Sequence, residues 1–389
     1  MLKTSVEILE QLVSFPVLGG ESNLSILQWI TDYLEQHQQA YQLVPNEEGT
    51  KASVHCRIGP SVDGGTILSG HMDVVPTEGQ PWKTDPFKLT PDGKLLYARG
   101  SCDMKGFLAC CLAGLPRWQR AELKRPIYFA FSYDEEIGCM AGPALAKDIN
   151  DHYSERPRFA IIGEPSLLQP IVGQKGINVY RTRITGSQGH SSRVNTEVSA
   201  VHEAARLIVW LEDYMQQLIQ AGRTDDRFSP NHTSLHAGVI HGGTAFNIIA
   251  NECWFDWDYR NIPSDRTDQI IRDFQAYCDS RAEILTKRYA QFKIENIEKH
   301  PPVPALDTPA DAQVVRLIKT LSGNDQLGTV SFASEAGQFM EAGFEAVICG
   351  PGSIEQAHRA NEFIAVEQLA SCNQLLDRLV QQHEAAVLV

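Results

Sequence analysis

The feature that most constrains the fold of this chain is a set of four short apolar segments that each end in polar residues. The segments are 64–76 (GGTILSGHMDVVP), 126–136 (PIYFAFSYDEE), 158–166 (RFAIIGEPS) and 345–353 (EAVICGPGS). Helical patterns separate them, and strands that alternate with helices are typical of an α/β domain with a largely parallel central sheet flanked by helices. In such sheets, ligands bind beyond the carboxyl ends of the strands, where these polar residues lie.

The pattern changes between residues 176 and 291. Apolar and polar residues alternate in three segments there, and two long amphipathic helical patterns (197–220 and 266–285) lie among them. This order predicts an α+β module with an antiparallel sheet. We therefore expect two domains, as the chain length also suggests: a catalytic α/β domain formed by 1–175 and 292–389, and an inserted domain formed by 176–291.

Composition and terminal sequence argue against several classes of protein. Lys plus Arg total 34 against 48 Asp plus Glu, and the net charge of -14 argues against nucleic acid or an anionic membrane as the main partner. The first sixteen residues (MLKTSVEILEQLVSFP) predict an amphipathic helix rather than an export signal. The nine cysteines contain no CxxC pair, so we expect reduced thiols, a cytoplasmic location and no thiolate zinc finger.

Two histidines and several carboxylates fall at the predicted strand ends or in adjacent loops. Taken singly, each has an ordinary structural explanation: Asp103 in YARGSCDMKG could cap a helix, and Glu164 in IIGEPS could be a turn carboxylate. Together with His71, His358 and one acid of 134–136 they form a nitrogen and oxygen donor set that suits Zn²⁺, Co²⁺ or Mn²⁺. Five such side chains exceed the needs of one catalytic zinc and fit two cations with a bridging carboxylate.

The acids Asp134, Glu135 and Glu136 follow one another directly after an apolar segment. Their mutual repulsion should raise their pKa values unless they point into water or a cation lies among them. A metal ligated by one glutamate would leave its neighbour to act as a base. His71 and Asp73 are two residues apart, so on a strand they would share a face, either as a histidine ligand held by a carboxylate or as a strand-end ion pair.

The segments SGHMDVVP, ARGSCDMKG, SYDEEIG, IIGEPS and GSIEQAH resemble, in order, the five metal-site motifs of the dinuclear zinc amidohydrolase and peptidase superfamily. The resemblance covers nearly the whole chain and implies two divalent cations, zinc with cobalt competent. It implies that His71 and Glu164 hold one cation, that Glu136 and His358 hold the other, and that Asp103 bridges them. It also implies that Asp73 orients His71 and that Glu135 is the general base and acid.

The resemblance further implies a homodimer formed through the inserted domain, which would also act as a lid. His190 would stabilise the oxyanion, from its own subunit or its partner's, while Asn247 and Arg260 would contact the substrate. Superfamily members often have proline where this chain has Ala250. Glu335 in FASEAG is a candidate partner for a substrate ammonium group or else a surface helix-start residue, and Gly352 is a further substrate-binding candidate.

FASEAG and CGPGSIEQAH look most like the branch that hydrolyses the N-acetyl amide of N²-acetyl-L-ornithine, a step of arginine synthesis. We therefore expect a small-molecule substrate. The alternatives are another N-acyl amino acid, such as acetylcitrulline or succinyl-diaminopimelate, a dipeptide, or a metal-free binding protein that keeps the fold. A cysteine hydrolase acting through Cys102 is disfavoured, because no histidine pattern accompanies that thiol.

Overall fold

The computed structural model describes residues 1–385, which divide into two compact units. Unit 1 comprises Met1–Gly173, Leu306–Thr329 and the described residues from Ser334 onward. Unit 2 comprises Gln174–Ala305 and Val330–Ala333. The second unit extends further along the chain than the inserted domain expected from the sequence.

The sheet at the centre of unit 1 is formed by β1 (Gln42–Pro45), β2 (Ala52–Ile58), β3 (Thr66–His71), β6 (Ile127–Ser132), β7 (Phe159–Pro165), β8 (Ile171–Gln174), β15 (Leu306–Asp307), β16 (Gly328–Val330) and β17 (Glu345–Gly350). It is a nine-stranded mixed sheet in the order β1-β2-β6-β3-β7-β17-β8-β15, with β16 beside β8. The four central strands β6, β3, β7 and β17 pair in parallel. These strands are almost wholly buried, which confirms the α/β class with a largely parallel sheet centre.

The helices of unit 1 are α1 (Leu2–Val13), α2 (Leu24–Gln36), α3 (Lys105–Trp118), α4 (Gly142–His152), α7 (Gln313–Ser322), α8 (Ala336–Glu341) and α9 (Val366–Glu384). The predicted amphipathic first helix is α1, and it packs with α9 against α3. Helix α3 approaches β7 closely because residue 163 is glycine: a Cβ there would lie 2.1 Å from a Phe107 ring carbon. A small antiparallel sheet joins β4 (Thr90–Asp92), β5 (Leu95–Tyr97) and β18 (Phe363–Ala365).

Unit 2 contains a four-stranded antiparallel sheet in the order β11-β13-β9-β14. Its strands are β9 (Asn178–Thr185), β11 (Ser234–Gly242), β13 (Glu252–Arg260) and β14 (Lys293–Glu298), and a separate short ribbon pairs β10 (Gly189–His190) with β12 (Ile248–Ile249). The helices are α5 (Ala200–Gln220) and α6 (Thr267–Leu285). Strand β14 pairs with β9, which explains why residues 292–305 belong to unit 2 and not to the first domain as the sequence suggested. None of the helices within residues 1–385 combines the length and the apolar composition that a membrane span requires.

Candidate metal centre

The polar residues that follow the parallel strands of unit 1 meet at one edge of the sheet. His71 is the last residue of β3, Glu164 lies one residue before the end of β7, and the acids 134–136 follow β6. Asp103 and His358 come from loops, before α3 and after β17 respectively. Parallel strands end on the same side, so their carboxyl ends bring these side chains together where a site was expected.

Asp103 lies between the two histidines. Its Oδ1 is 3.2 Å from Nε2 of His71, and its Oδ2 is 3.5 Å from Nε2 of His358. Glu164 places a carboxylate oxygen 3.7 Å from Nε2 of His71, and Glu136 places one 2.9 Å from Nε2 of His358. The side chains therefore form two groups, His71 with Glu164 and His358 with Glu136, and one oxygen of Asp103 faces each group.

The donor set and its charge balance fit a pair of divalent cations. Ligand atoms of His71, Asp103 and Glu136 lie within 4.8 Å of one another, as do those of His71, Glu135 and Glu164. In the part of the chain that the structure describes, these four carboxylates form ion pairs with the two imidazoles and with no lysine or arginine. Buried negative charge thus exceeds positive charge, and the nitrogen and oxygen donors are of the type that zinc and cobalt accept.

The protonation equilibria of the cluster reflect this excess of negative charge. Burial, followed by repulsion from neighbouring carboxylates, raises the pKa of Glu164 well above its usual value. Hydrogen bonds to Asp103 and Glu136 raise the pKa of His358 to about 10. Burial lowers the pKa of His71, but its hydrogen bond to Asp103 and the nearby glutamates outweigh burial, so the net shift is upward. Protons on these groups offset the crowded charge, and divalent cations bound there would displace them.

The side chains of the three acids 134–136 point in different directions and contact different partners. The Asp134 carboxylate forms an ion pair with Lys51 and accepts the N–H of Gly20 at 2.8 Å. Asp134 has a φ of 54°, which turns the chain between its neighbours. Glu136 meets His358, while Glu135 points towards His71 at 3.9 Å.

Glu135 occupies a buried environment suited to proton transfer. Its side chain is 10% exposed, and the Cys139 thiol donates to its Oε1 at 3.3 Å. Burial, and then the charges of Glu136 and Asp103, raise its pKa to about 8 against the opposing effect of His71. A carboxyl group whose pKa is raised towards neutrality can both accept and return a proton at neutral pH.

Asp73 contacts His71 more closely through its main-chain oxygen than through the carboxylate that the sequence suggested. The main-chain oxygen of Asp73 lies 2.9 Å from Nδ1 of His71, whereas the carboxylate Oδ1 is 3.7 Å away. The carboxylate instead accepts the main-chain N–H groups of Glu135 at 3.2 Å and Glu136 at 3.1 Å. The two side chains still lie within ion-pair distance of each other, although β3 ends at His71 and Asp73 follows the strand.

Three predicted site residues lie in unit 2. His190 ends β10 and is exposed, and Asn247 precedes the paired strand β12, with its main-chain oxygen accepting the N–H of Ser191 at 3.0 Å. These two residues are therefore neighbours. Arg260 is the last residue of β13, and its Nε donates to Asp258 at 3.2 Å.

Two predicted substrate contacts differ from expectation. Glu335 lies immediately before α8 and is 1% exposed. Its Oε2 accepts a hydrogen bond from the Ser69 hydroxyl at 3.3 Å. In this structure Glu335 is therefore neither a surface residue nor open to a substrate ammonium group. The N–H of Gly352 donates to Gln368 and its oxygen accepts from Leu167, so both main-chain groups are already used. The positive φ of Gly352 and a Cβ position only 2.4 Å from the Cys102 sulfur explain the glycine.

Sequence reasoning missed two charged residues beside the cluster, Arg99 and Glu362. They are 1% and 0% exposed and form an ion pair with an N–O distance of 2.7 Å. Arg99 stands in the same segment as Asp103, and Glu362 comes four residues after His358. Their position in the chain, close to two candidate ligands, was the only feature of the sequence that could have indicated a role at this site.

Comparisons with known proteins give a consistent result. Residues 67–382 match the family described as Peptidase family M20/M25/M40. Acetylornithine deacetylase of Myxococcus xanthus is 35% identical over 313 residues, which cover 80% of this chain and 78% of that protein. Acetylornithine deacetylase of Proteus mirabilis is 32% identical over 391 residues, covering 98% of this chain and 97% of its own length. The solved M20 family metallo-carboxypeptidase of Sulfolobus solfataricus shares the fold, with a TM-score of 0.76 at 16% identity and coverage of 98% of this chain and 99% of that chain.

Proposed function

This chain belongs to peptidase family M20/M25/M40 and is a metal-dependent amidohydrolase, and we propose that it hydrolyses the N-acetyl amide of N²-acetyl-L-ornithine to L-ornithine and acetate. The observation that carries this substrate is the similarity to acetylornithine deacetylases along 98% of the chain. We propose that it acts in the cytoplasm, at a step of arginine synthesis.

The metal centre in this proposal uses the two groups joined by Asp103. His71 and Glu164 would hold one cation, Glu136 and His358 the other, and Asp103 would face both. We propose Zn²⁺ in both positions, with Co²⁺ competent. When bound, these cations would supply Lewis-acid chemistry by polarising the amide carbonyl and acidifying water.

Glu135 is the proposed proton carrier. Its carboxylate would take a proton from water as the water oxygen adds to the amide carbon, and would return that proton to the nitrogen that leaves as the amino group. Burial at 10% exposure keeps this proton from bulk solvent, and the Cys139 thiol and the Asp73 carboxylate hold the residue by its side chain and its main chain.

His190 is the proposed donor to the oxyanion that forms as the amide carbon becomes tetrahedral. The main-chain N–H of Ser192 donates to Nδ1 of His190 at 3.2 Å, and the Ser192 hydroxyl lies 2.8 Å from the same nitrogen. Because Nδ1 accepts, the neutral ring carries its proton on Nε2. That N–H on an exposed ring can then donate to a developing negative oxygen.

Arg260 and Asn247 are the proposed contacts to the amino-acid part of the substrate. Within residues 1–385, the side-chain partner of Arg260 is Asp258 through Nε, so the two terminal nitrogens remain to bind a carboxylate. The 39% exposure of the Arg260 side chain allows a small molecule to reach it. Asn247 is exposed next to His190 and offers an amide group.

We also propose a homodimer formed through unit 2. Strand β11 is an edge of the four-stranded sheet, and its Val239 and Ile240 are 44% and 51% exposed. An apolar edge strand that is left unpaired is prone to pair with another chain. Two copies joined along β11 would cover this edge and extend the sheet.

Release of ornithine from N²-acetyl-L-ornithine tests the proposed function. The purified protein is assayed with added zinc or cobalt and after chelation, beside acetylcitrulline, succinyl-diaminopimelate and a dipeptide. Chelator-sensitive release that is fastest with acetylornithine supports the proposal. Faster turnover of another substrate by metal-loaded protein contradicts the ornithine assignment while leaving the amidohydrolase chemistry intact.

A further inference from the structure

The loop that carries Asp103 is held by the carboxylate of Glu362. Oε1 of Glu362 accepts the main-chain N–H groups of Cys102 at 2.8 Å and Asp103 at 3.0 Å. Oε2 accepts the N–H of Gly100 at 3.0 Å and a guanidinium nitrogen of Arg99 at 2.7 Å. Both carboxylate oxygens therefore bind the loop, and the position of Asp103 depends on them.

Arg99 extends this contact to the loop that carries His358. Its second terminal nitrogen donates to Oε1 of Gln80 at 2.8 Å, and Nε2 of Gln80 donates to the main-chain oxygen of His358 at 3.0 Å. His358 has a φ of 61°, a left-handed conformation that a non-glycine residue adopts only when its surroundings hold it. The hydrogen-bonded chain Glu362–Arg99–Gln80 thus joins two loops that each supply a candidate ligand.

Stability alone does not explain this network. Arg99 and Glu362 are 1% and 0% exposed, and a buried ion pair pays a desolvation cost that often cancels its attraction. A buried carboxylate that accepts four hydrogen bonds does, however, fix the positions of the groups that donate to it. The groups fixed here are the main chain at Asp103 and, through Gln80, the main chain at His358.

We propose that Arg99, Glu362 and Gln80 are positioning residues that set the separation of Asp103 and His358 and so tune cation affinity at the Glu136–His358 group. The inference rests on the metal centre of the proposed function. Both Asp103 and His358 serve this group, whereas Asp103 alone links the network to the His71–Glu164 group. Loss of the Gln80 connection should therefore weaken one cation position selectively.

Cobalt titration of the metal-free protein, followed by visible absorption and calorimetry, tests this inference without relying on activity. The variant H358A identifies which binding step belongs to the Glu136–His358 group. Q80A and R99K should weaken that step about 10- to 100-fold, the usual effect of losing a residue that supports a ligand, and leave the other step near wild type. E362Q should weaken both steps. Its amide nitrogen would face main-chain N–H groups or Arg99, which would displace Asp103, and Asp103 faces both cation positions.

A matched control removes an ion pair of the same length at the other end of the strands, in which the carboxylate is buried and the arginine side chain is 32% exposed. Glu155 pairs with Arg57 at 2.7 Å and accepts from Tyr128, near the start of β6. E155Q should bind cobalt like the wild type even where its stability falls. Equal losses of affinity in E155Q and R99K, or wild-type titration curves and spectra in Q80A and R99K, would overturn the inference. A wild-type protein that binds no cobalt would overturn the proposed metal centre and this inference with it.

Discussion

His71 and Asp73 are hydrogen-bonded through the main-chain oxygen of Asp73, at 2.9 Å from the imidazole Nδ1, while the Asp73 carboxylate lies at a longer distance of 3.7 Å. The backbone therefore fixes the ring so that Nε2 faces the cluster. The Asp73 side chain has a separate task, because it accepts the main-chain N–H groups of Glu135 and Glu136. Asp73 thus supports the proposed ligand His71 through its main-chain oxygen and the proposed base Glu135 through its carboxylate.

The substitution Asp73→Asn should therefore damage catalysis more than metal binding at His71. Its amide nitrogen would oppose one of the two N–H groups that the carboxylate accepts, which shifts Glu135 and Glu136. We expect kcat to fall by about 10- to 100-fold, while cobalt affinity at the His71–Glu164 group stays within a few fold. Steady-state kinetics and cobalt titration measure the two effects. A large loss of affinity at that group with a normal kcat would show that the carboxylate acts on His71 after all.

Glu135→Gln should separate proton transfer from metal binding. Removing a general acid and base usually lowers kcat by about 100- to 10,000-fold, and Glu135 is not among the five proposed ligands. The variant should nevertheless bind two cations per chain, as metal analysis would show. This test can separate the two roles because a Glu135 oxygen lies within 4.8 Å of ligand atoms of His71 and Glu164, close enough for Glu135 itself to bind a cation. Loss of one cation in Glu135→Gln, but not in a matched Glu341→Gln variant on α8, would make Glu135 a ligand.

The sequence predicted the sheet centre and the cluster because both follow from local patterns. Apolar segments that end in acids or histidines form buried parallel strands, and parallel strands bring such ends together. The arrangement of His71, Asp103 and His358 around one edge agrees with this reasoning. The boundary between the units was harder to predict from the sequence. The apolar and polar residues of β14 (KIENIE) alternate only weakly, and nothing in that segment indicates that it pairs with β9.

Other features depend on contacts between distant segments and could not be read from the sequence. Glu335 looked like a loop acid but is buried against Ser69, 266 residues away. Glu362 contacts the Asp103 loop across 259 residues. A buried charge among apolar neighbours has no pattern of its own in sequence, since Glu and Arg are usually exposed. Such residues emerge only when their partners are seen.

His190→Asn should lower kcat by about 100- to 1,000-fold with little change in stability, because the residue is exposed and the shorter asparagine side chain cannot place an N–H group where the imidazole Nε2 presents it. Ser192→Ala, which keeps the main-chain N–H to Nδ1, should have a smaller effect. Mixing inactive Glu135→Gln and His190→Asn subunits distinguishes the two arrangements of the site. Recovery of activity in mixed dimers means that His190 acts on its partner, and no recovery means that it acts on its own subunit. Normal kcat in His190→Asn would exclude the donor role.

Stability should fall as pH drops below about 6.5, with His383 as one cause. This ring lies between the Thr66 hydroxyl and the main-chain oxygen of Arg125, and burial lowers its pKa from 6.5 to about 4. Between pH 6.5 and 4 the His383 ring takes up a proton in the unfolded chain but not in the folded chain. The contribution of the neutral ring to the free energy of unfolding is therefore complete above pH 6.5. It is lost between pH 6.5 and 4, by roughly 3 kcal/mol in all.

His383→Gln should flatten this dependence, because glutamine can accept from Thr66 and donate to Arg125 without titrating. Urea unfolding midpoints at pH 7, 6 and 5 measure the slope. His202→Gln, on the exposed face of α5, is the matched control and should keep the wild-type slope. Equal slopes in wild type and His383→Gln would mean that other groups dominate the acid response.

Val239→Lys combined with Ile240→Lys should convert the proposed dimer into monomers. These residues expose 44% and 51% of their surface on the edge strand β11, and lysine on an edge strand opposes pairing because its charge would be buried. Light scattering coupled to size exclusion should show half the wild-type mass. Ile284→Lys, at a residue of α6 that is 55% exposed, is the matched control and should remain dimeric. Monomers in the control as well, or dimers in the β11 variant, would contradict pairing along β11. If mixed subunits show that His190 acts in its partner's site, the β11 monomer should also lose activity while retaining both cations, because its own ligands are unchanged.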